Sequence, residues 1–164
     1  MFHTIYICAI MFVIPIVCWL FESRNHKEIS MSIFCKWCIF WAVGIRAFTT
    51  GAMQFFNASY TMGLLQLGEE SKIMIMELGA CQLGIGLLGL ISLVKKNYRG
   101  PAAISYSIFM IGASLIHIVR LEMANDEEIL SLLGDVWVIV VTIIYFVSER
   151  KVESTKKASM NPNI

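Results

Sequence analysis

The sequence predicts an all-α fold, namely a polytopic membrane protein built as a single bundle of five transmembrane helices. Of its 164 residues, 57% are hydrophobic and 15% are charged, whereas a soluble domain is about 45–50% apolar and about 25% charged. The apolar residues gather into runs of about 20, which is the length of helix that crosses a bilayer. This composition argues against a soluble enzyme, a disordered chain and a disulfide-rich secreted domain.

Five apolar runs are long enough to cross the hydrocarbon core of a bilayer, which is roughly 30 Å thick. Backbone amides cannot stay unpaired in lipid, so each run is expected to be a helix. The bundle covers residues 1–147, and a polar cytoplasmic tail follows at 148–164, expected to be unstructured from Ser154 onward. The predicted spans are Phe2–Phe21, Ile33–Phe56, Ile73–Val94, Ala102–Leu121 and Ile129–Val147.

The first run is interpreted as a retained transmembrane helix rather than as a signal peptide. It has no basic residue before it, and no small-x-small cleavage site precedes Glu22. Between the second and third runs, the stretch Asn57–Ser71 mixes Leu, Met and Tyr with polar residues. This stretch is predicted to form an interfacial helix on the outer surface.

Lysines and arginines set the predicted orientation, because the cytoplasmic loops of membrane proteins carry an excess of them. The first and third loops and the tail together carry nine, whereas the opposite side carries two. We therefore expect a multi-pass protein of the cell membrane with its N-terminus outside and its C-terminus in the cytoplasm. Its surroundings are the lipid bilayer, and a net charge of +1 gives no reason to expect nucleic-acid binding.

Several polar side chains lie inside the predicted spans, where each charge costs roughly 2.5–3.5 kcal/mol on insertion scales. Arg46, Glu77, His117 and Asp135 come from four different helices, at depths of about 6–15 Å from the outer ends. Gln54 shares a helix face with Arg46. We predict an outward-facing pocket for a small ligand, an ion or a proton, with Arg46 paired to Glu77 or Asp135. The alternative is that this pair only fixes the helix register.

The third span carries a glycine-rich face. Gly79, Gln82, Gly86 and Gly89 recur at helical spacing, and Gly84 adds a further small residue. Small residues let transmembrane helices approach one another closely. This span is therefore predicted to pack against another helix of the same chain, a second copy or a partner membrane subunit, with Gln82 bonding across the contact.

Cys35 and Cys38 form a CxxC pair at the start of the second span. A helix N-terminus favours the thiolate, so this pair is a candidate for redox chemistry. Two thiolates alone do not make a structural zinc site, which takes four ligands, so no metal is predicted. The five cysteines all lie in apolar runs, which argues against an external disulfide framework.

The third span also resembles a group of small prokaryotic membrane proteins of uncharacterised function. These proteins carry an E-x-G-x-x-x-L-x-x-G-x-x-G helix after a polar outer loop, and they are similar in style to DoxX-like four-helix proteins. The resemblance covers roughly residues 40–120 and implies a helical membrane bundle in which the glutamate matters. The matching residues are Glu77, Gly79, Leu83, Gly86 and Gly89.

Three functions are compatible with these residues. The first is a bundle that binds a small ligand, an ion or a proton in the polar pocket. The second is a structural or accessory subunit that associates through its glycine-rich face, and the third is a quinone- or thiol-linked membrane oxidoreductase that uses Cys35 and Cys38. No nucleophile–base pair occurs at a recognisable spacing, so an enzyme is less expected than a binding or structural protein. The residues identify no cofactor.

Overall fold

The computed structural model describes residues 8–26, 31–119 and 126–160, and these residues are almost entirely helical, with no strand among them. An all-helical fold is the one that the length and apolarity of the runs predict, because a helix satisfies its own backbone hydrogen bonds. The helices in chain order are α1 (Ile14–His26), α2 (Met31–Cys38), α3 (Arg46–Phe56), α4 (Ala58–Leu65), α5 (Lys72–Ile91), α6 (Arg99–Val119) and α7 (Asp126–Met160).

Wider and tighter helical turns lead into several of these helices. A π-helical turn at Ala9–Val13 precedes α1, and another at Ile39–Ile45 joins α2 to α3 without a break. The resulting helix, Met31–Phe56, is called the central rod below because it contacts α1, α5, α6 and α7. Single 3₁₀ turns precede α5 at Glu69–Ser71 and α6 at Lys96–Tyr98.

Four helices among the described residues are long and apolar enough to cross a membrane, and they overlap the second to fifth predicted spans, with bounds that differ by up to six residues. The first predicted span, Phe2–Phe21, lies partly outside the described residues, and its described part is helical. The four helices are Met31–Phe56, Glu69–Ile91, Lys96–Val119 and Ile129–Val152.

The tail differs from the expectation of an unstructured segment. α7 continues beyond its apolar part and ends at Met160, and residues 161–164 lie outside the described part of the chain. The sequence after Val147 contains Glu, Arg, Lys and Ala, which are good helix formers, and no proline before Pro162. An established helix therefore continues through polar sequence at little cost.

α4 occupies the stretch between the central rod and α5 that was predicted to be helical. It ends where Gln66 adopts the left-handed conformation with φ of 54°. The N–H of Leu67 then donates to the carbonyl of Met62 at 2.9 Å, which is a Schellman-type helix end. The end of the bundle that carries α4 is called the α4 end below.

The central rod and α5 touch backbone to backbone. A Cβ atom added to Gly51 would lie 2.6 Å from the backbone nitrogen of Leu83, and one added to Gly79 would lie 2.6 Å from that of Phe55. Such distances are far inside van der Waals contact, so only glycine fits at these positions. Small residues on both helices thus permit the close approach that is typical of packed transmembrane helices.

Apolar side chains from the π-helical turn Ala9–Val13, the central rod, α6 and α7 fill one continuous core. The rings of Phe12 and Trp137 lie 5.1 Å apart, and those of Trp19 and Phe34 lie 5.4 Å apart, so the N-terminal helix packs within the bundle. Between α6 and α7 the buried hydroxyl of Ser107 bonds to that of Thr142 at 2.7 Å. The fully or almost fully buried members include Met11, Cys38, Ile39, Val43, Tyr106, Val138 and Val141.

Ion pairs close the end of the bundle opposite to α4. Glu22 of α1 accepts hydrogen bonds from Lys36 and, at 2.7 Å, from Nε1 of Trp37. Lys96 and Glu149 form a second pair at 2.9 Å, in which the lysine side chain is half exposed. A solvent-exposed pair such as Lys96–Glu149 contributes little to stability, on the order of 0–1 kcal/mol.

We expect Gly79→Ala to destabilise the bundle by about 1–3 kcal/mol, the usual cost of overpacking a well-packed contact. The added Cβ meets backbone atoms of the central rod, which cannot move aside as a flexible side chain would. The measurement is the unfolding midpoint of the purified protein in detergent micelles. Gly84→Ala is the matched control, because nothing lies within 4 Å of a Cβ at that position. Equal midpoints for the two variants would contradict the close contact.

Candidate functional site

Arg46 begins α3 directly after the π-helical segment of the central rod. Its backbone N–H bonds to the carbonyl of Trp41, five residues back, where a regular α-helix bonds four residues back. The wider turn changes the phase of the helix, and the side chain of Arg46 reaches α6 and α7. Isolated π-helical turns within α-helices are frequent at functional sites.

Arg46 and Asp135 form an ion pair inside the bundle. Nη2 of Arg46 donates to Oδ1 of Asp135 at 2.6 Å, and the two side chains are 12% and 3% exposed. Of the two carboxylates that the sequence offered to Arg46, Asp135 is therefore its partner. A buried charge that loses its partner destabilises the fold by about 3–5 kcal/mol, so each side chain stabilises the burial of the other.

Three other residues lie around the guanidinium group of Arg46. A Cβ atom on Gly134 would lie 3.3 Å from Nη2, so the backbone of α7 runs close beside the group. Nη1 lies 3.6 Å from the sulfur of Met110, a weak acceptor, and Cζ lies 6.0 Å from the centroid of the Tyr106 ring. Arg46 is thus fixed by α6 and α7 together.

His117 stands at the open side of this pair. Its Nε2 lies 4.0 Å from Oδ2 of Asp135, the carboxylate oxygen that Arg46 does not engage, and its side chain is 23% exposed. The residue is two positions before the end of α6, at the α4 end of the bundle. Arg46, Asp135 and His117, called the Arg46 cluster below, therefore run from the interior of the bundle toward its surface.

Glu77 stands apart from the cluster in which the sequence placed it. Its side chain is exposed on α5, and no ion pair of Glu77 occurs among the described residues. The reason is geometric, since α5 turns Gly79 toward the central rod, and two residues earlier is about 200° around the helix. Glu77 therefore lies on the outward side of α5, together with the exposed Cys81 and Gly84.

Gln54 belongs to a different contact from the Arg46 cluster. Nε2 of Gln82 on α5 donates to its side-chain oxygen at 3.2 Å, and both amides are buried between the central rod and α5. The two glutamines thus cross-link the glycine contact. Eight residues separate Gln54 from Arg46, which turns the two side chains toward different neighbours.

The remaining predicted residues are placed as follows. Gly79, Gln82, Gly86 and Gly89 lie buried on one face of α5 against the central rod, whereas Gly84 is exposed. Their packing partner is therefore a helix of the same chain.

Cys35 and Cys38 are both buried, and both are free thiols. The sulfur of Cys35 lies 3.9 Å from the hydroxyl of Ser148 on α7. The two residues are thus part of the packed core between the central rod and α7.

Three residues were not singled out from the sequence, namely two that lie beside Arg46 and one that shares the α6 face of Met110 and His117. Gly134 and Tyr106 give no signal in a linear pattern, because they matter only through the helix that they face. Ser114 had a signal, since it lies four residues after Met110 and three before His117 and therefore shares their face of α6. Its side chain is buried and its hydroxyl has no hydrogen-bond partner among the described residues.

The chemistry available to the cluster is that of charge and proton binding. Within the described part of the chain, no group of three or more His, Cys, Asp or Glu side chains could hold a metal ion. The cluster offers one carboxylate, which Arg46 already neutralises, and one imidazole near the surface. An imidazole can exist with or without a second proton, so it is the group of the cluster that can add a positive charge beside the pair.

Comparisons with known proteins identify one family. A family model described as a family of unknown function, DUF6790, matches residues 2–155 of the chain. No curated protein and no solved structure matches the chain.

We expect Arg46→Met to destabilise the protein by about 3–5 kcal/mol, because it leaves the carboxylate of Asp135 buried and unpaired. Adding Asp135→Leu to this variant should recover most of the loss, since two apolar side chains of similar size replace the ion pair. Chemical unfolding in micelles measures all three forms. Lys96→Met is the control, as its half-exposed pair contributes at most about 1 kcal/mol. An Arg46→Met variant as stable as Lys96→Met would show that the buried pair is unimportant.

Proposed function

The chain belongs to this family of unknown function, DUF6790, and on that premise we propose that its apolar helices span a membrane and that the bundle binds protons at the Arg46 cluster. The observation that supports the proposal most directly is the spatial order of Arg46, Asp135 and His117. A buried guanidinium, a buried carboxylate and a partly exposed imidazole follow one another from the interior to the surface. Ionisable residues inside membrane bundles commonly serve proton or ion pathways.

His117 is the group that meets solvent first, and it is the group that takes up the proton. A charged imidazole 4.0 Å from Oδ2 of Asp135 competes with Arg46 for the same carboxylate. Two unit charges at that separation interact by about 1 kcal/mol in water and about 4 kcal/mol near a protein surface. Proton uptake at His117 thereby weakens the ion pair between Asp135 and Arg46. Because that pair joins the central rod to α7, proton uptake changes the contacts among the central rod, α6 and α7.

A proton fits the cluster better than a metal ion or a bulky ligand. A cation needs carboxylate oxygens that are free to bind it, and Oδ1 of Asp135 already accepts from Arg46 at 2.6 Å. Hard cations such as calcium also take six or more oxygen ligands. The cluster supplies one uncommitted carboxylate oxygen and one imidazole, which is the minimal pair for holding and passing a single proton.

The proposed topology opens the cluster to the outside of the cell membrane. It has five spans, the first of which includes the helical residues 8–26, with the N-terminus outside and the C-terminus in the cytoplasm. The excess of lysine and arginine on the opposite side supports this orientation. The α4 end, where His117 lies, is then the outer end, and protons arrive from the exterior.

The other two functions have less support. The buried glycines of α5 pack against the central rod of the same chain, so they are not available to a partner subunit. Cys35 and Cys38 are enclosed by the core, and a buried thiol in apolar surroundings is usually inert. An accessory subunit and a thiol-linked oxidoreductase are therefore less favoured than a proton-binding bundle.

Infrared difference spectroscopy tests the proposal on the full chain in lipid nanodiscs, between about pH 8 and pH 5. We expect the wild type to show an imidazole change together with a shift of a carboxylate band. Asp135→Asn should remove the carboxylate part, and His117→Gln should remove both, because the carboxylate responds to the charge on the imidazole.

Glu77→Gln is the matched control for this experiment. It removes a carboxylate from a transmembrane helix, but one that lies outside the cluster, so both signals should remain. A wild-type spectrum with no carboxylate shift, or one that survives His117→Gln, would overturn the proposed function.

A further inference from the structure

The outward side of α5 carries a charge that neither the packed core nor the proton site uses. Glu77 is exposed, and it makes no ion pair among the described residues. The other exposed charges described in the four long helices lie within four residues of a helix end, whereas Glu77 lies eight residues beyond Glu69, where its helix begins. Charged side chains inside membrane helices almost always face a bundle interior or pair with another polar group, so this carboxylate indicates a missing partner.

Small residues follow Glu77 on the same side of α5, at helical spacing. A Cβ atom added to Gly84 would meet nothing within 4 Å, so no contact among the described residues requires a glycine there. Glycine nevertheless destabilises a helix relative to alanine. The exposed residues of this surface, called the Glu77 face below, are Glu77, Ala80, Cys81 and Gly84.

The opposite side of α5 shows what such a surface does. There Gly79 and Gly86 bring the backbone of the central rod into contact, because small residues permit close approach between helices. The Glu77 face repeats this pattern of small residues, and the larger side chains of Ile73 and Leu87 border it at 72% and 51% exposure. It therefore has the shape to receive one further helix.

We propose that the Glu77 face binds a transmembrane helix of a partner protein, one that carries small residues and a basic side chain that pairs with Glu77. This inference goes beyond the proton site and rests on the proposed function only in placing the helices in a membrane. Charge favours such a partner over a second copy. Two copies that met through this face about a two-fold axis would set Glu77 against Glu77, and like charges repel.

The position of the basic side chain follows from the direction of α5. This helix begins at the α4 end, so Glu77 lies on the α4 side of the small residues. It precedes the midpoint between Ala80 and Gly84 by five residues, which is about 7 Å along the helix. A helix that crosses α5 at the small residues therefore needs its basic side chain one to two turns nearer the α4 end.

Designed transmembrane peptides test the inference, by fluorescence energy transfer with the full chain in phosphatidylcholine vesicles. The first peptide is a leucine-based helix with a Gly-x-x-x-Ala face and a lysine at the level of Glu77. The second has leucine in place of the lysine, and the third has leucine in place of the small residues. We expect the wild type to bind the first about 3- to 30-fold more tightly than the second, the usual strength of a polar contact between membrane helices, and not to bind the third.

Variants of the chain locate the binding surface. Glu77→Gln should remove most of the preference for lysine, and Gly84→Leu should abolish binding, because the leucine fills the face. Gly112→Leu is the matched control and should bind like the wild type, since it adds the same side chain at an exposed glycine of α6 where a Cβ also meets nothing within 4 Å.

Three outcomes would reject the partner helix. The first is a wild type that binds all three peptides alike, or none of them. The second is a preference for lysine that survives Glu77→Gln. The third is energy transfer between labelled copies of the chain that Gly84→Leu removes, because a second copy then occupies the face.

The infrared signals of the Arg46 cluster separate this inference from the function proposed above. If the peptides fail to bind while those signals persist, the proton site stands and the partner helix is wrong. If the chain does not float with the vesicles on a density gradient, the membrane placement fails, and both proposals fail with it.

Discussion

The backbone contact between the central rod and α5 is the constraint on which the rest of the bundle depends. Gly44 faces Gly89, and Gly51 faces Gly79, at distances that leave no room for a side chain. Two helices in such contact cannot rotate about their axes without driving side chains into the neighbouring backbone. The contact therefore fixes which side of each helix is left to meet α6, α7 and the surroundings.

The fixed phase of the central rod explains where its charge lies. With the glycines of the rod turned to α5, Arg46 faces α6 and α7, and the π-helical segment before it adjusts the angle. A guanidinium in the apolar interior of a helix bundle needs a counter-charge, and α7 supplies it as Asp135. Gly134, the residue before that aspartate, leaves space for the guanidinium against the backbone of α7. The close packing of the central rod against α5 thus determines where the Arg46–Asp135 ion pair forms.

The sequence predicted what is local and missed what depends on neighbouring helices. The four helices that are long and apolar enough to cross a membrane follow from run length, because bilayer thickness sets the length that a span needs. The buried face of α5 also followed from spacing alone. The same spacing sets Glu77 about 200° away from Gly79 around α5, so the predicted glycine contact and the predicted place of Glu77 in the pocket were in conflict. Spacing could not show that the glycine face meets the central rod, since a linear pattern identifies the residues of one face and not the helix that this face meets. The length of α7 was missed as well, because the polarity that ends an apolar run does not end a helix.

The geometry of the Arg46 cluster also bears on whether the ion pair is only structural. A buried ion pair is often no more stabilising than two apolar side chains, so fold stability alone gives little reason to place one inside a bundle. A purely structural pair would be best enclosed, with both carboxylate oxygens bonded. Here Arg46 takes one oxygen of Asp135, and the other faces a partly exposed imidazole at 4.0 Å. An arrangement that leaves the remaining acceptor of Asp135 facing an imidazole near the surface favours the proposed proton binding over an ion pair that only holds helices together.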